Sequence, residues 1–523
     1  MEPFKLIYYR ELIAKAINEK RFFRLYGYAD CPKLRAELLK RGFLEHVPLS
    51  ARDPNSGMSL EDLSEKASKG NAFEQTLISK LLESRAPDFI FIPDRSYYVL
   101  QSVTHQINRV KFIGYNFCLK HELCCLVDLI NQHIKNDLQT IDYVKMPKTV
   151  RIVDDLGIDE FKEVFNWTMI TSLILFLCRH PTNIQQHFCQ RPIYGIEIDG
   201  LELALNFIKR QIEKIEGTRR SSIPETPLTR NQWRTIERTF IGVIKNQQNI
   251  FVPESKIQYY CEFINLIGTK ISEYWPWTKI DGYRNIWIVK PDGCVDGEGI
   301  IMSDEFRKIK NHVETHEDYV FVIQKYIEKP FLIHETKFHI RNYFLIRVDE
   351  KHFNAYLHPS CVIKLASEPF TLKNFRTKGH LTNISVQKNF RNTSKKLPDS
   401  HMLTLERFNE YLENVGHKNV YEEQIYPSMK ETCKQIAEES MKHIEHINGN
   451  YEIFGVDWMV GEDFSAQLLE VNRSPSLEHY SVVSTIVLNE ILEDLIKVVV
   501  DNYNNPKASC GGFENIYQEE YKN

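Results

Sequence analysis

Phe454-Gly-Val-Asp457-Trp-Met-Val460 and, a few residues on, Leu468-Leu-Glu470-Val-Asn472 read as the two arms of a β-hairpin. Phe454, Val456, Trp458 and Val460 alternate, so Gly455, Asp457 and Met459 share the opposite face of the first arm. A turn over Gly461 to Phe464 sets Asp457 across from Leu468, and Asp457, Glu470 and Asn472 then fall on one face of adjacent strands. Two carboxylates and an amide oxygen in that space repel one another unless a hard cation holds them, and oxygen donors of this kind suit Mg2+. The same residues also fit the wet side of a partly solvated hairpin. Taken alone, they leave both readings open.

Upstream segments narrow the choice. Asn285-Ile-Trp-Ile-Val-Lys290-Pro-Asp-Gly293-Cys-Val-Asp296-Gly297-Glu-Gly299 is a strand ending in lysine, followed by a glycine-rich loop. A lysine at a strand end brings charge to phosphate oxygens, and Gly297 and Gly299 let backbone N–H groups approach an anion. The spacing is neither a Walker A loop nor a Rossmann fingerprint. In Thr336-Lys337-Phe-His339-Ile-Arg341, period-two alternation places three basic side chains on one face. In isolation that is a wet strand face. Val322-Ile-Gln324-Lys325-Tyr-Ile327 reads as a strand entering a turn whose backbone can meet a purine edge. A phosphate cradle, basic strand and carboxylate pair in this order make a coherent nucleotide–Mg2+ site.

The chain has 523 residues, enough for two or three domains, with 42% hydrophobic and 26% charged residues. A net charge of −4 carries no global nucleic-acid signature, although local basic faces can coexist with it. Eleven scattered cysteines without a CxxC pair point to free thiols in a reducing compartment. Met-Glu-Pro-Phe-Lys5 lacks a signal core, and the apolar run Met169 to Cys178 is too short to span a bilayer, so a buried helix is expected there. These features predict an intracellular protein with no nucleic-acid partner and no membrane insertion.

The predicted fold class is α/β (α+β). Residues 1–150 form a small α/β unit, with a helix at Leu12 to Glu19, strands from Arg21, at Asp88 and at Val110, and a helix from His121 to Ile134. Residues 151–280 read as helical, with a linker near 217–231 rich in Ser, Thr, Pro and Arg. Residues 281–500 are strand-rich, with a polar loop at Arg391 to Ser400, and 501–523 read as a frayed tail.

The segments Ile286-Trp-Ile-Val-Lys290-Pro, Gln324-Lys-Tyr-Ile-Glu-Lys-Pro, Thr336-Lys-Phe-His-Ile-Arg341, Ser367-Glu-Pro-Phe, His380-Leu-Thr-Asn383, Phe454-Gly-Val-Asp457 and Leu469-Glu470-Val-Asn472-Arg-Ser-Pro475 resemble the tubulin–tyrosine ligase-like family. Within it the chain is most similar to the tubulin glycylase branch. Phe-Arg-Leu-Tyr-Gly-Tyr28, Arg41-Gly-Phe and Met146-Pro-Lys-Thr-Val-Arg151 extend the likeness upstream. The resemblance implies an ATP-grasp catalytic fold in the C-terminal half, with ATP and Mg2+ as cofactors. It implies that Lys290 and Lys337 contact phosphates, that Gln324, Lys325 and Ile327 border the adenine, and that Asp457, Glu470 and Asn472 hold Mg2+. Arg341 would meet the incoming amino acid or the reacting acyl group, and His339, His380 and Asn383 would line the site.

The implied reaction phosphorylates a glutamate side chain of an acidic tubulin tail. The amine of free glycine then displaces phosphate, leaving an isopeptide-linked glycine, with Lys337, Arg341 and Glu470 as catalytic groups. Lys364, Lys373, Arg376 and Lys378 could receive the tail, or serve as ordinary surface charge. The cytoplasm and cytoskeleton are the expected location, with the cilium or axoneme a narrower expectation. Three positions depart from the family pattern. Asp296 replaces a basic residue in the glycine loop, His339 replaces the acid of Lys-Phe-Asp-Ile/Leu-Arg, and Lys364 replaces an arginine, losing its bidentate fork. These departures keep two alternatives in view: a catalytically impaired microtubule-binding member, and a ligase that uses glutamate or tyrosine.

Overall fold

The computed structural model describes residues 3–25, 31–47, 49–50, 53–82, 85, 87–92, 115–136, 144–179, 183–218, 227–294, 297–473 and 475–521. The strand expected at Val110, the centre of the 217–231 linker and Asp296 lie outside them.

The first unit is a parallel three-stranded sheet of β1 (Phe22–Leu25), β2 (Leu44–Glu45) and β3 (Phe89–Phe91), with β1 in the middle. Helices Phe4–Asn18, Pro32–Lys40, Leu60–Lys66 and Ala72–Leu81 accompany it. Ser59 and Asn71 cap the last two, accepting from the N–H groups of Asp62 and Glu74. Helix Lys120–Asn136 follows, and then β4 (Thr149–Ile152).

The middle of the chain is helical. Helices Asp155–Arg179, Asp199–Ile215, Arg230–Phe240 and Glu254–Tyr274 pack around Leu173, Ile174, Leu205, Ile208, Ile264 and Ile267. Helix Asp155–Arg179 is long and apolar enough to cross a membrane; Met169, Ile170, Leu173, Ile174, Leu175 and Leu177 pack in this core, and Ile158, Phe161 and Phe165 in the core beside β8 and β10. A small parallel sheet of β5 (Phe188–Cys189), β6 (Gly195–Ile196) and β7 (Asn249–Phe251) closes one end.

Two further sheets frame the site. In the first, β8 (Trp287–Pro291), β9 (Ile301–Ser303), β10 (Phe321–Lys325) and the earlier β4 run antiparallel in the order β4-β10-β8-β9. The second comprises β11 (Thr336–Val348), β12 (His352–Leu357), β13 (Val362–Pro369), β14 (Met402–Thr404), β15 (Tyr451–Val460), β16 (Ala466–Arg473) and β17 (Glu514–Glu520). Strand β11 is its spine: the first part pairs with β13, the later part with β12, and the opposite edge with β15.

Period-two alternation along β11 divides its labour. Phe338, Ile340, Phe344 and Ile346 enter one core, with helices Leu405–Asn414 and Tyr426–Met441. Tyr343 and Leu345 on the other face enter a second core, under helix Val482–Ile496 and the Phe89 and Phe91 side chains of β3. Lys337, His339 and Arg341 lie on that second face, just before the apolar stretch begins. They are buried or nearly so, not on a wet face.

Residues 501–521 correct the expectation of a frayed tail. β17 pairs antiparallel with β12 through six registered positions, and Ile516, Tyr517 and Tyr521 pack on the core. The gain is the covered edge of β12, whose N–H and C=O groups would otherwise lack partners.

Candidate functional site

The hairpin forms at β15 and β16, with one change of register. Gly461 N–H donates to Ser465 O and Phe464 N–H to Gly461 O, closing the turn. Trp458 pairs with Leu468, but Asp457 pairs with Glu470, leaving Leu469 as an extra residue in β16. The expected Asp457–Leu468 pairing is therefore replaced. The bulge sets the two carboxylates directly opposite each other, with Asn472 next along, opposite Gly455. Asn472 Nδ2 lies 3.2 Å from Asp457 Oδ2 and 3.2 Å from Glu470 Oε1.

Arg341 grips Asp457 with two parallel bonds, Nε to Oδ1 at 2.5 Å and Nη2 to Oδ2 at 2.7 Å. Burial alone would raise the Asp457 pKa, but the guanidinium outweighs it and holds the carboxyl below its ordinary value. Burial likewise pulls Arg341 down, and Asp457 more than restores it. His339 sits between, with Nδ1 2.5 Å from Thr382 Oγ1 and Nε2 3.5 Å from Asp457 Oδ1. Burial, with Lys364 and Arg341 nearby, holds the imidazole well below its ordinary pKa.

Two buried lysines face this group. Lys290, at the end of β8, donates to Gln324 Oε1 at 2.8 Å, and Gln324 Nε2 donates to Thr149 Oγ1 at 3.1 Å. Lys337 donates to Tyr326 Oη at 2.9 Å and to His380 O at 3.0 Å, with its ammonium 4.3 Å from the Tyr326 ring centre. Desolvation pushes Lys290 down to about 8 and Lys337 down to about 7, the latter helped by Lys290. Among the described residues, neither forms an ion pair with a carboxylate. His380 is neutral, pushed down to about 4 by burial and Lys337, and bonds Tyr326 Oη at 2.7 Å and Asn374 O at 2.8 Å.

A cavity of about 410 Å³ is walled by Lys290, Gly297, Arg341, Asn383, Glu470 and Asn472 among others, while Gln324, Lys337, His339 and Asp457 are buried off that wall. Gly297 and Gly299 have φ of 79° and 69°, and a Cβ on Gly299 would come within 2.9 Å of Pro291. Other expected residues stand off the wall. The Lys325 ammonium is locked to Glu328 Oε1 at 2.9 Å, Asp281 O and Tyr326 O. Ile327 packs with Ile280 and Met459. Glu328 in turn accepts from the N–H groups of Tyr283, Arg284 and Ile286. Lys325 and Glu328 thus hold the strand ends together through side chains, and any purine contact here falls to backbone. Lys378 is engaged by Glu368, while Lys364 lines the cavity.

Residues 226–507 match the Tubulin-tyrosine ligase family. The chain belongs to that family. Over 98% of its length it is 27% identical to Tubulin glycylase 3B of Drosophila melanogaster, covering 68% of that protein. It is 26% identical to Protein monoglycylase TTLL8 of Mus musculus and 25% identical to Tubulin monoglycylase TTLL3 of Danio rerio, again over 98% of the chain, covering 64% and 70% of them.

This member of the tubulin-tyrosine ligase family completes its site with residues that precede the family match. Thr149 supports Gln324 from β4. The start of helix Lys120–Asn136 docks on the glycine loop: Lys120 N–H donates to Asp292 Oδ1 at 3.0 Å, Lys120 Nζ lies 3.3 Å from Cys294 O, and His121 Nδ1 bonds Asp292 Oδ2. Lys120 also lines the cavity, with Lys290, Lys364 and Lys388, and spacing could not reveal it from some 170 residues away. Thr382 had a trace in the quoted His380-Leu-Thr-Asn383, but its bond to His339 is a product of folding.

Proposed function

We propose that this chain is an ATP- and Mg2+-dependent ligase that joins glycine to glutamate side chains in the acidic tails of tubulin. One observation carries the nucleotide part. Lys290 and Lys337 are buried ammonium groups with no carboxylate partner among the described residues, which is costly unless an anion binds. A polyphosphate supplies that anion. Asp457, Glu470 and Asn472 offer a divalent cation two carboxylates and, after a half-turn of the Asn472 amide, a carbonyl oxygen. The residues fit ATP–Mg2+. The two antiparallel sheets around the cavity support an ATP-grasp unit over 281–500 that also takes in β4 and β17 from outside those bounds, after an α/β unit to about 150 and a helical unit to 280. The similarity to glycylases and monoglycylases of tubulin supports glycine as donor and tubulin as acceptor.

Bound ATP–Mg2+ supplies the phosphoryl group that turns the acceptor carboxylate into an acyl phosphate. The amine of glycine attacks the acyl carbon, the isopeptide bond forms and inorganic phosphate leaves with the former carboxylate oxygen. Lys290 and Lys337 neutralise phosphate charge, and their lowered pKa values let them gain protons as the anion arrives. Arg341 uses one hydrogen each of Nε and Nη2 on Asp457, so Nη1 and the second Nη2 hydrogen are left to steady the developing oxyanion or the carboxylate of glycine. Such an enzyme would work in the cytoplasm on microtubules, including those of cilia.

A second reading, microtubule binding with little turnover, is favoured by His339, a neutral ring beside Asp457 where the resembled motif carries an acid. One experiment separates the two. Purified protein, microtubules, ATP and Mg2+ are incubated with radiolabelled glycine, glutamate or tyrosine. Label from glycine, lost in Glu470→Gln, is the expected outcome. Label from another amino acid changes the donor, and microtubule binding without any label sinks the ligase.

A further inference from the structure

Helix Arg230–Phe240 sets three arginines in one line. Arg230, Arg234 and Arg238 recur every four residues and all are exposed, while Ile236, Thr239 and Phe240 on the opposite side are buried. Trp233 meets Phe207, and Thr239 is pressed against Gly200, so helix Asp199–Ile215 covers the apolar side and leaves the arginine side to solvent. Like charges four residues apart destabilise a helix, and a cation in the first turn opposes its dipole. The first turn here holds no acidic residue. Glu237 shares the face, yet among the described residues none of the three arginines forms an ion pair with it or with any other carboxylate. The stripe stands out in a chain of net charge −4, and none of its residues lines the cavity.

We propose that this stripe is a docking surface for an extended acidic peptide, separate from the cavity, with alternate side chains of the peptide held by Arg230, Arg234 and Arg238. The spacing carries the assignment. A helix rises about 1.5 Å per residue, so successive arginines stand about 6 Å apart along its axis. Alternate residues of an extended chain project to one side at intervals of about 6.6 Å. An acidic chain lying along the helix therefore meets one arginine with every second side chain, over about five residues. Guanidinium suits this task better than ammonium, because its planar fork takes a carboxylate through two bonds. Nucleic acid fits less well, since the helix has no exposed aromatic side chain on which a base could stack. The occupant is of the same chemical class as the acceptor proposed above. The stripe holds one acidic segment while the cavity acts on another, and its binding does not depend on transfer.

Fluorescence anisotropy with the full chain tests the surface. Two labelled peptides of equal length and charge are compared, one alternating Glu and Ala, the other repeating Glu-Glu-Ala-Ala. The alternating peptide should bind the more tightly. Arg230→Gln, Arg234→Gln and Arg238→Gln together should weaken it by about tenfold or more and reduce the salt dependence of its affinity. Circular dichroism checks that this variant folds, and Arg234→Gln alone, with an expected loss of about two- to fivefold, serves if it does not. No binding, equal affinity for the two peptides, unchanged affinity in the variants, or tighter binding of oligothymidylate or of phosphatidylserine vesicles overturns the proposal. Glycine transfer is scored separately. Transfer by the wild type with peptide binding intact in the triple variant removes the docking surface and leaves the ligase; peptide binding lost in the variant, with no transfer by the wild type, does the reverse.

Discussion

Lys290 and Lys337 bond to Gln324, Tyr326 and His380 and to no carboxylate among the described residues, and that arrangement fixes a pH signature. Their pKa values fall from 10.5 to about 8 and about 7 in the folded site. Above those values the ligand-free lysines are neutral, yet a phosphate binds their charged forms. Nucleotide binding should therefore take up protons, and affinity should fall as pH rises from 7 to 9, by at most about tenfold per unit for each proton gained. Calorimetry in buffers of different ionisation enthalpy measures that uptake, and Lys337→Gln should reduce it along with the affinity. Arg341 gives a different prediction. Arg341→Ala leaves Asp457 buried without its guanidinium, so urea unfolding should show a loss of about 3 kcal/mol. Arg341→Lys should recover part of it, since lysine keeps the charge but not the fork.

At the scale of elements, β11 and β16 do what their patterns allow and one thing more. Alternation on β11 correctly grouped Lys337, His339 and Arg341, but could not tell a wet face from a covered one. The cover is Tyr326, the segment carrying His380 and Thr382, and Asp457 of the neighbouring strand. On β16 the bulge at Leu469 had no legible signal, because a one-residue insertion looks like ordinary strand. Leu469 is partly buried against Ile280, Ile327 and Met459, which gives the bulge its reason to persist. Strand β17 yields a test of its own. Truncation after Phe513 exposes the β12 edge, and the melting temperature should fall by several degrees with increased aggregation, read by thermal scanning and light scattering.

Across the whole molecule, the N-terminal unit is tied to the catalytic half by charge as well as by apolar contact. Lys33 bridges Glu37 and Glu493 at 3.0 and 2.7 Å, and Arg41 grips Asp501 while reaching Glu37 at 2.7 Å. These groups are partly solvated, so Arg41→Gln should cost about 1 kcal/mol, and less at high salt, by urea unfolding at two ionic strengths. The sequence by itself determined which chemical groups exist: the lysine at the end of β8, the basic triplet on β11, and the carboxylate–amide face of the hairpin. Each followed from local periodicity, which acts over a few residues and is visible in a single chain. The family likeness came from the order of those same segments. Only the tertiary structure decided that Lys325 serves Glu328 and not the cavity, that Lys120 and Thr149 complete the site, and that His339 comes to lie between Thr382 and Asp457. Burial and pairing depend on what packs against a strand from elsewhere in the fold, and the alternation of residue types along the strand does not carry that information.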